Sequence, residues 1–313
     1  MRAVAVDRFG GEPRVVELPV PVAGPGEVLV RVAAAGINPY DAKVGDGILE
    51  GRPHVFPLVL GVDGAGTVEA CGPGVTRFVR GDPIFGQFLH DPVGVGTYAE
   101  YTLVPERIGV TKVPRELSSV QAAALPTSGM TALAALDTFA LRPGDSLAIV
   151  GASGGIGSIA IPLAAGRRAS IVALARPASA ARLRALGAAE TIDSAPDGLP
   201  ERLRRRFPGG VDALLDLMSA APRFAELASS VRPGGTAVST VYAADPSRAG
   251  PSGARQINLS LEPSAALLDR LVDEVVSRRI PVPVERTVSL DGAIGALREV
   301  KAGRGAGKTV IVI

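Results

Sequence analysis

Cysteine and histidine are scarce in this sequence of 313 residues. Cys71 is the only cysteine, and His54 and His90 are the only histidines. A lone cysteine cannot form an internal disulfide, and such scarcity is typical of a reducing compartment, so we predict a cytoplasmic protein. The usual Cys and His ligands of a tetrahedral zinc ion are too few to assemble such a site. We therefore expect no metal.

Strong charge and long apolar runs are absent too. The formal net charge is +2, and the densest basic run, Arg202–Arg206, has the spacing of a solvated helix face. We therefore expect no nucleic-acid partner. No stretch approaches the ~18 consecutive apolar residues of a membrane helix, and the chain starts with a strand pattern instead of a signal peptide. We expect no membrane span and no signal.

Two regions of different character divide the chain. Up to residue 117 the sequence shows short strands separated by Gly and Pro, such as Glu27–Ala35 and Pro83–Phe85, which predicts a small barrel-like β domain. From Ser118 onward strands and helices alternate, beginning with a capping box formed by Ser118 and Gln121. Such alternation builds a parallel sheet with right-handed crossovers. The predicted fold class is α/β, with a β-barrel and a doubly wound parallel sheet.

A glycine-rich turn between two apolar strands is the most informative motif. The strand Ser146–Val150 enters the turn Gly151–Gly157 (GASGGIG), a helix pattern follows, and a second strand covers 171–175. This unit lays a dinucleotide pyrophosphate on a helix N-terminus, and the glycines let the backbone approach the phosphates. We predict that the cofactor binds at Ser153, Gly154, Gly155 and Ile156.

The residue at the end of the second strand indicates which dinucleotide binds. An NAD site places an acidic side chain there, about 20 residues beyond the motif, to hold the ribose 2′-hydroxyl. Arg176 stands at this strand end instead, and a guanidinium suits a 2′-phosphate through forked hydrogen bonds. The sequence therefore predicts NADP(H). The alternative is that Arg176 is a surface arginine without a ligand.

Seven short strings, taken together, resemble one protein family. They are 35–43 (AGINPYDAK), 57–70 (PLVLGVDGAGTVEA), 81–82 (GD), 96–101 (GTYAEY), 151–157 (GASGGIG), 186–188 (LGA) and 307–310 (GKTV). Over essentially its full length the chain resembles the zinc-independent quinone oxidoreductase branch of the medium-chain dehydrogenase/reductase superfamily. The resemblance implies a GroES-like catalytic domain over 1–117 and 263–313, with a Rossmann NADP-binding domain over 118–262 inserted between.

The same resemblance bears on the missing metal and on the first half of the cofactor site. Zinc-dependent relatives carry a metal cysteine and a Gly-His-Glu where this chain has Gly36-Ile-Asn38 and Gly61-Val-Asp63. The resemblance implies that Asn38 faces the nicotinamide ribose. It also implies that Thr131 lies near the nicotinamide and the diphosphate; a hydroxyl that bonds its own helix backbone is the alternative for Thr131.

Further cofactor contacts follow from the resemblance in the second half of the chain. The resemblance implies that Thr240-Val241-Tyr242 ends the strand that passes beside the nicotinamide ring, with Thr240 and Val241 as the predicted cofactor contacts. Lys308 approaches the cofactor, as basic residues at this place do in relatives. Relatives often hold the 2′-phosphate slightly beyond Arg176, where this chain has Ser179 and Arg182. The choice among these three residues stays open.

The acceptor site is where the sequence departs from the family. Many quinone reductases have a tyrosine where Lys43 stands, so Lys43 and the nearby Tyr40 are our candidate catalytic residues. Lys43 would hydrogen-bond a carbonyl oxygen as negative charge develops on it; a solvated lysine is the alternative. Water, Tyr40 or Lys43 would supply the proton.

These observations predict an NADPH-dependent reductase that transfers hydride to a small molecule, a quinone or an α,β-unsaturated carbonyl, without zinc. Two alternatives are an enoyl-thioester or polyketide-type double-bond reductase and a non-catalytic NADPH-binding sensor. Family members commonly pair through the strand near Gln256–Leu261, so we also expect a homodimer. The abundance of Ala, Gly, Pro and Arg, with four lysines, is typical of a GC-rich bacterial genome.

Overall fold

The computed structural model describes residues 1–195, 197–247, 253–305 and 307–313, which form two compact units. The first comprises Met1–Met130, Pro263–Val276 and Val282–Ile313, and the second comprises Thr131–Glu262 and Ser277–Pro281. The first change of unit falls inside a helix, after Met130, whereas the sequence prediction places it at 117/118. The predicted boundaries between a catalytic domain (1–117 and 263–313) and a cofactor-binding domain (118–262) remain a proposal.

The structure contains the following strands and helices, each numbered in chain order. The strands are β1 (Arg2–Val6), β2 (Arg14–Glu17), β3 (Glu27–Gly36), β4 (Leu58–Val59), β5 (Asp63–Cys71), β6 (Pro83–Gln87), β7 (Tyr101–Pro105), β8 (Val110–Lys112), β9 (Ser146–Val150), β10 (Ser170–Ala175), β11 (Glu190–Asp193), β12 (Val211–Asp216), β13 (Val231–Ser239), β14 (Arg255–Asn258), β15 (Arg286–Ser289) and β16 (Thr309–Val312). The helices are α1 (Pro39–Gly45), α2 (Ser119–Ala124), α3 (Pro126–Phe139), α4 (Gly155–Gly166), α5 (Ala180–Ala185), α6 (Leu199–Arg206), α7 (Ala221–Ala228), α8 (Ala265–Ser277) and α9 (Ala293–Lys301). In the part of the chain that the structure describes, no helix could span a lipid bilayer.

The first unit is rich in β-structure, as predicted. Its larger sheet has the order β15-β16-β3-β5-β6-β8, with β7 also paired to β3, and its smaller sheet has the order β2-β1-β4. The long strand β3 pairs antiparallel with β5, β7 and β16. The C-terminal strand β16 therefore lies beside a strand from the N-terminal part of the chain.

A buried apolar cluster joins α1 and α9 to the strands of this unit. Its members include Val4 in β1, Val44 in α1, Leu58 in β4, Leu297 in α9 and Ile311 in β16, each almost without exposed surface. Burial of one such side chain stabilises the fold by about 1.5–3 kcal/mol. The cluster fixes α1, which carries the two predicted catalytic residues, Tyr40 and Lys43.

In the described residues, a six-stranded parallel sheet organises the second unit. Its order is β11-β10-β9-β12-β13-β14, and each neighbouring pair runs parallel. Chain order therefore reverses between β9 and β12. In a doubly wound sheet a ligand binds at such a switch point, beyond the carboxyl ends of the strands. The glycine turn follows β9 at that end, and the predicted doubly wound sheet is confirmed.

The apolar sequence of the central strands explains their place in the sheet. Leu147, Ala148 and Ile149 of β9 have no exposed surface, although they are consecutive. A strand with alternating burial would expose every second side chain, whereas a parallel strand covered on both faces buries them all. The apolar run Ser146–Val150 is therefore a central strand, with β10 and β12 on its two sides.

Two helices differ from what the sequence pattern suggests. The seven-residue α1 lies where little helical periodicity is visible, because so short a helix shows no apolar stripe. Its signals are local: Asn38 precedes it and Pro39 begins it. The helix α4 continues through Pro162, which removes a single backbone donor.

Candidate functional site

The glycine turn of the second unit is open on one side. Gly151 has a left-handed φ of 76°, a conformation that favours glycine. A Cβ at Gly157 would lie 2.5 Å from the carbonyl oxygen of Ala152, so a side chain does not fit there. At Gly154 an added Cβ would approach only the Gly151 carbonyl oxygen, at 3.4 Å. The turn is therefore closely packed at Gly157 and accessible at Gly154.

Backbone N–H groups at this turn form a potential anion site. Gly155 and Ile156 begin the 12-residue α4, so their N–H groups precede the helical hydrogen-bond ladder. The N–H of Gly154 instead donates to the Gly151 carbonyl at 3.0 Å. The described residues provide no side-chain cap for α4. Its positive dipole end therefore suits a phosphate.

The two predicted arginines occupy different places beside the turn. Arg176 follows β10 and has an exposed side chain. Arg182, in α5, donates from Nη2 to the Ser153 carbonyl at 3.0 Å and from Nη1 to the Ser158 hydroxyl at 3.2 Å. Ser179 is half-buried between them in sequence. The structure therefore brings Arg182 onto the glycine turn and leaves the Arg176 guanidinium accessible.

Two neighbouring strand ends continue this edge of the sheet. Asp216 ends β12 and is fully buried; its Oδ1 accepts the N–H groups of Met218 at 3.0 Å and Ser219 at 2.9 Å. The Thr240 N–H, just after β13, donates to the Asp216 carbonyl at 3.1 Å. Val241 follows with an exposed side chain. Thr240 and Val241 thus lie at the carboxyl edge, as the glycine turn does.

Thr131 lies in α3 and is buried, with 7% of its surface exposed. It lies neither at a strand end nor in the glycine turn, unlike Thr240, Val241 and the residues of the glycine turn.

A buried cluster in the first unit surrounds the side chain of Lys308. The Lys308 Nζ donates to Asn38 Oδ1 at 2.6 Å and to Asp63 Oδ2 at 3.1 Å. Asn38 Nδ2 also donates to Asp63 Oδ2, at 2.9 Å. The other carboxylate oxygen of Asp63 accepts the Thr127 N–H at 3.0 Å and the Thr127 hydroxyl at 2.6 Å. We call these four residues the ammonium cluster.

Both polar atoms of the Asn38 side-chain amide form hydrogen bonds within the ammonium cluster. Its oxygen contacts the ammonium of Lys308 and its nitrogen contacts the carboxylate of Asp63. Because Lys308 is 3% exposed and Asp63 is fully buried, water does not compete for these bonds. The predicted site residues Asn38 and Lys308 are therefore brought together, but their side chains bind each other.

A second buried carboxyl group lies next to this cluster in the chain. Asp41 Oδ2 accepts the Tyr98 hydroxyl at 2.7 Å and the Asn38 N–H at 2.7 Å. Burial raises the pKa of Asp41 to about 7, with the charge of Asp63 acting in the same direction and the Tyr98 hydrogen bond opposing. Burial and the Asp41 charge also raise the pKa of Tyr98 well above its usual range. Asp41 Oδ1 has no hydrogen-bond partner among the described residues.

The candidate catalytic pair lies on α1. Tyr40 and Lys43 are three residues apart, so their side chains share one face of the helix. Tyr40 is half-buried against the apolar cluster, and this burial raises the pKa of its hydroxyl, with the charge of Arg52 opposing. The Lys43 side chain is exposed. The structure therefore places the phenol of Tyr40 and the amino group of Lys43 three positions apart on one short helix.

For three buried acids the sequence predicts no polar network. Asp63 stands where zinc-dependent relatives have Gly-His-Glu, Asp41 is expected only to cap the helix in its own turn, and Asp216 has no predicted role. The available signal was an aspartate in or directly after an apolar strand, as in Val62-Asp63 and Leu215-Asp216. Because a buried carboxylate requires hydrogen-bond donors, such a residue predicts a polar network.

Comparisons with known proteins agree with both units. The alcohol dehydrogenase GroES-like domain matches residues 24–115, and the zinc-binding dehydrogenase domain matches residues 186–311. The chain is 32% identical over 234 residues to the chloroplast envelope quinone oxidoreductase homolog of Arabidopsis thaliana. That match covers 71% of this chain and 69% of the plant protein.

Solved structures support the same assignment. The quinone oxidoreductase from Coxiella burnetii is similar with a TM-score of 0.87 and 27% identity, over 100% of this chain and 99% of that one. A mycobacterial protein solved in complex with NADPH has a TM-score of 0.86 and 25% identity, over 100% of both chains. A GroES-like domain joined to a doubly wound sheet defines a medium-chain dehydrogenase/reductase. Within that superfamily, this chain belongs to the quinone oxidoreductase branch, and the predicted family is confirmed.

Proposed function

We propose that this oxidoreductase is an NADPH-dependent, zinc-free reductase that passes hydride to a quinone or an α,β-unsaturated carbonyl. The observation that carries the choice of cofactor is Arg176 at the end of β10, where an NAD site has an acidic residue. The residues present fit a dinucleotide, because the turn is open at Gly154 and α4 lacks a side-chain cap among the described residues. When bound, the cofactor supplies the hydride.

The described contacts favour one arginine for the 2′-phosphate. Gly155 and Ile156 would bind the pyrophosphate through their N–H groups. Arg182 already donates to Ser153 and Ser158, whereas the Arg176 side chain is exposed. We therefore propose that Arg176 binds the 2′-phosphate, and that Arg182, with Ser179 near it in sequence, shapes the turn.

Asn38 and Lys308 act together in this proposal. Their side-chain bonds fix the amide of Asn38 and thus the start of α1, where Tyr40 and Lys43 lie. Lys308 is then a positioning residue, since its buried ammonium contacts Asn38 and Asp63. Thr131, Thr240 and Val241 remain proposed cofactor contacts.

Tyr40 and Lys43 are proposed to serve the acceptor. The exposed ammonium of Lys43 would stabilise a carbonyl oxygen as it gains negative charge. The hydroxyl of Tyr40 stays protonated at neutral pH, because burial raises its pKa, and it would donate a hydrogen bond to the acceptor oxygen; the same shift makes it a weaker acid than an ordinary tyrosine. A substrate carbonyl placed near the exposed face of α1 would thus meet both groups.

The absence of zinc is supported by the bonds of the ammonium cluster. Asn38 and Asp63 belong to the two segments in which zinc-dependent relatives carry metal ligands. In this chain their side chains are hydrogen-bonded to each other and to Lys308. Among the described residues, no three His, Cys, Asp or Glu side chains are grouped so as to hold a metal ion. Cys71, which is exposed, stands apart in β5.

The proposed function is tested with purified protein by absorbance at 340 nm. The expected result is NADPH oxidation with members of a quinone and enone panel, unchanged by a zinc chelator. Turnover restricted to enoyl thioesters would favour a double-bond reductase. NADPH binding without oxidation by any acceptor would favour a sensor. Activity that disappears with the chelator would contradict zinc independence.

We also propose a homodimer in a reducing compartment. The strand β14 (Arg255–Asn258) pairs with β13 and is the last strand of the sheet in the described residues, so its outer edge is able to pair with a second copy. A monomeric mass in light scattering would contradict the dimer. The cytoplasmic location rests on cysteine usage, and fractionation of the source cells tests it.

A further inference from the structure

His90 lies in the loop 88–95, which follows β6, and both nitrogens of its ring face oxygen atoms. Nε2 is 2.6 Å from Glu27 Oε1, and Nδ1 is 3.2 Å from the carbonyl oxygen of Pro92. Carbonyl and carboxylate oxygens only accept hydrogen bonds, and a neutral imidazole carries a single N–H. The two bonds therefore need two protons, so the geometry requires an imidazolium ring beside a carboxylate.

The surroundings of this pair favour a charged bond. The side chain of His90 is 9% exposed and that of Glu27 is 21% exposed, so solvent screens their attraction little. The second carboxylate oxygen of Glu27 accepts the Gly24 N–H at 2.9 Å, which fixes the carboxylate at the start of β3. On the loop itself, Asp91 forms an exposed ion pair with Arg52 at 3.7 Å. The described residues give the ring no further bond or ion pair.

The backbone of the loop 88–95 is hydrogen-bonded to the segment 46–59, which leads from α1 into β4. Val93 donates its N–H to the Pro53 carbonyl at 2.8 Å and accepts the Val55 N–H at 2.9 Å. The Val59 N–H donates to the Gly94 carbonyl at 3.0 Å. The bond of the histidine therefore links this segment, through the loop, to the start of β3.

The segment 46–59 lies next to the candidate catalytic pair. It follows α1 directly, and the Ile48 N–H donates to the Lys43 carbonyl at 2.9 Å. The charge of Arg52, which belongs to the segment, opposes the rise in the pKa of the Tyr40 hydroxyl. A displacement of the segment would therefore reach the two residues that serve the acceptor in our proposal.

We infer that His90 and Glu27 form a pH-dependent positioning pair: while the ring holds both protons, their bond keeps the segment 46–59 in place for the acceptor, and loss of one proton weakens this bond. An imidazole changes its charge between about pH 5 and 8. A hydrogen bond between charged groups is strong enough to change a binding constant roughly tenfold. The kinetic effect of the pair rests on the proposed function, whereas the protonation of the ring does not.

The protonation of the ring is tested by nitrogen NMR of the histidine side chains. We expect the His90 ring to carry two N–H groups at pH 6 and to lose one by pH 9. In Glu27→Gln the amide is able to donate to Nε2, so the ring should lose its second proton at a lower pH than in the wild type. His54 is the matched control, because it is the only other histidine and faces a single acceptor, the Arg52 carbonyl at 2.9 Å. Its titration should be the same in both proteins.

The positioning role is tested by the KM for a quinone acceptor and the Kd of NADPH at pH 6 and pH 9. Glu27→Gln keeps both hydrogen bonds with a neutral ring, so its KM should match the wild type at pH 6 and be roughly tenfold lower at pH 9. His90→Gln supplies donors from one atom only, so its KM should be roughly tenfold higher than the wild type at pH 6 and similar to it at pH 9. His54→Gln should keep a constant ratio to the wild type, and the Kd of NADPH should be the same in all variants.

Different results would overturn different parts of the inference. A His90 ring with one N–H at pH 6 in the wild type would refute the charged pair, whatever the activity. Equal KM values of the wild type and Glu27→Gln at both pH values, or parallel changes in KM and in the Kd of NADPH, would refute the positioning role, even if His90→Gln did not fold. Absence of NADPH oxidation with every acceptor would refute the proposed function and with it the kinetic role, while the ring protonation would still decide whether the charged pair exists.

Discussion

The two candidate sites of this protein use different chemical groups: one uses the backbone and the other uses buried side chains. In the second unit the phosphate site consists of backbone: glycines without Cβ atoms and the N–H groups that begin α4. In the first unit the ammonium cluster consists of buried side chains, with Asp63 and Lys308 contributed by distant parts of the sequence. A backbone site depends on shape, whereas a buried ionic site depends on every partner being present.

Removing the ammonium should have the largest effect. Lys308→Met leaves Asp63 buried without its cation, and we expect a loss of about 3–5 kcal/mol in the free energy of unfolding, measured by urea denaturation. Lys301→Met is the matched control, because Lys301 binds Asp46 at 2.7 Å in an exposed pair and should cost at most about 1 kcal/mol. Adding Asp63→Asn to Lys308→Met should recover part of the loss. Equal stability of Lys308→Met and Lys301→Met would refute the role of the cluster.

The buried carboxyl group of Asp41 should make stability fall as pH rises. Its pKa is raised to about 7 in the folded protein, so the folded state holds a proton that the unfolded state releases near pH 4. The stabilising effect is therefore complete below about pH 4 and is lost as pH rises to and above 7, by an amount on the order of 4 kcal/mol.

The measurement compares wild type with Asp41→Asn by denaturation between pH 4 and 8. Asparagine cannot titrate but keeps an oxygen for the Tyr98 hydroxyl. We expect the difference between the two proteins to shift in favour of the variant as pH rises. Parallel pH profiles would show that Asp41 does not titrate in this range.

The backbone site should respond to a single methyl group. Gly157→Ala places a Cβ 2.5 Å from the Ala152 carbonyl oxygen, and we expect a cost of about 1–3 kcal/mol together with weaker NADPH binding. Gly154→Ala is the matched control for stability, because its Cβ has no contact closer than 3.4 Å. Similar melting temperatures for the two variants would contradict the described packing.

The smallest predicted effect concerns charge at the 2′-phosphate. Arg176→Ala should weaken NADPH binding about tenfold or more and leave NADH binding nearly unchanged, because only NADPH carries the 2′-phosphate. Arg182→Ala should disturb both cofactors alike, since Arg182 binds Ser153 in the turn. Equal weakening of both cofactors by Arg176→Ala would refute its assignment.

The sequence predicted the backbone site better than the side-chain site, for a physical reason. Glycines between a strand and a helix determine the shape of the turn in which they lie. The phosphate-binding motif Gly151–Gly157 can therefore be recognised from a few consecutive residues. The bonds of Lys308 depend on which strands become neighbours, and β16 meets β3 only in the folded sheet. Lys308 was therefore predicted as a cofactor residue from resemblance, without its buried partners.

The position of Lys308 has a consequence for the order of events during synthesis. Its partner Asn38 is 270 residues earlier in the chain, and Asp63 is 245 residues earlier. While the ribosome is still making the second unit, the N-terminal strands have no cation for Asp63 and no β16 beside β3. The first unit therefore lacks Lys308 and β16 until residues 308–312 have been synthesised. By then every strand of the parallel sheet in the second unit has already been translated.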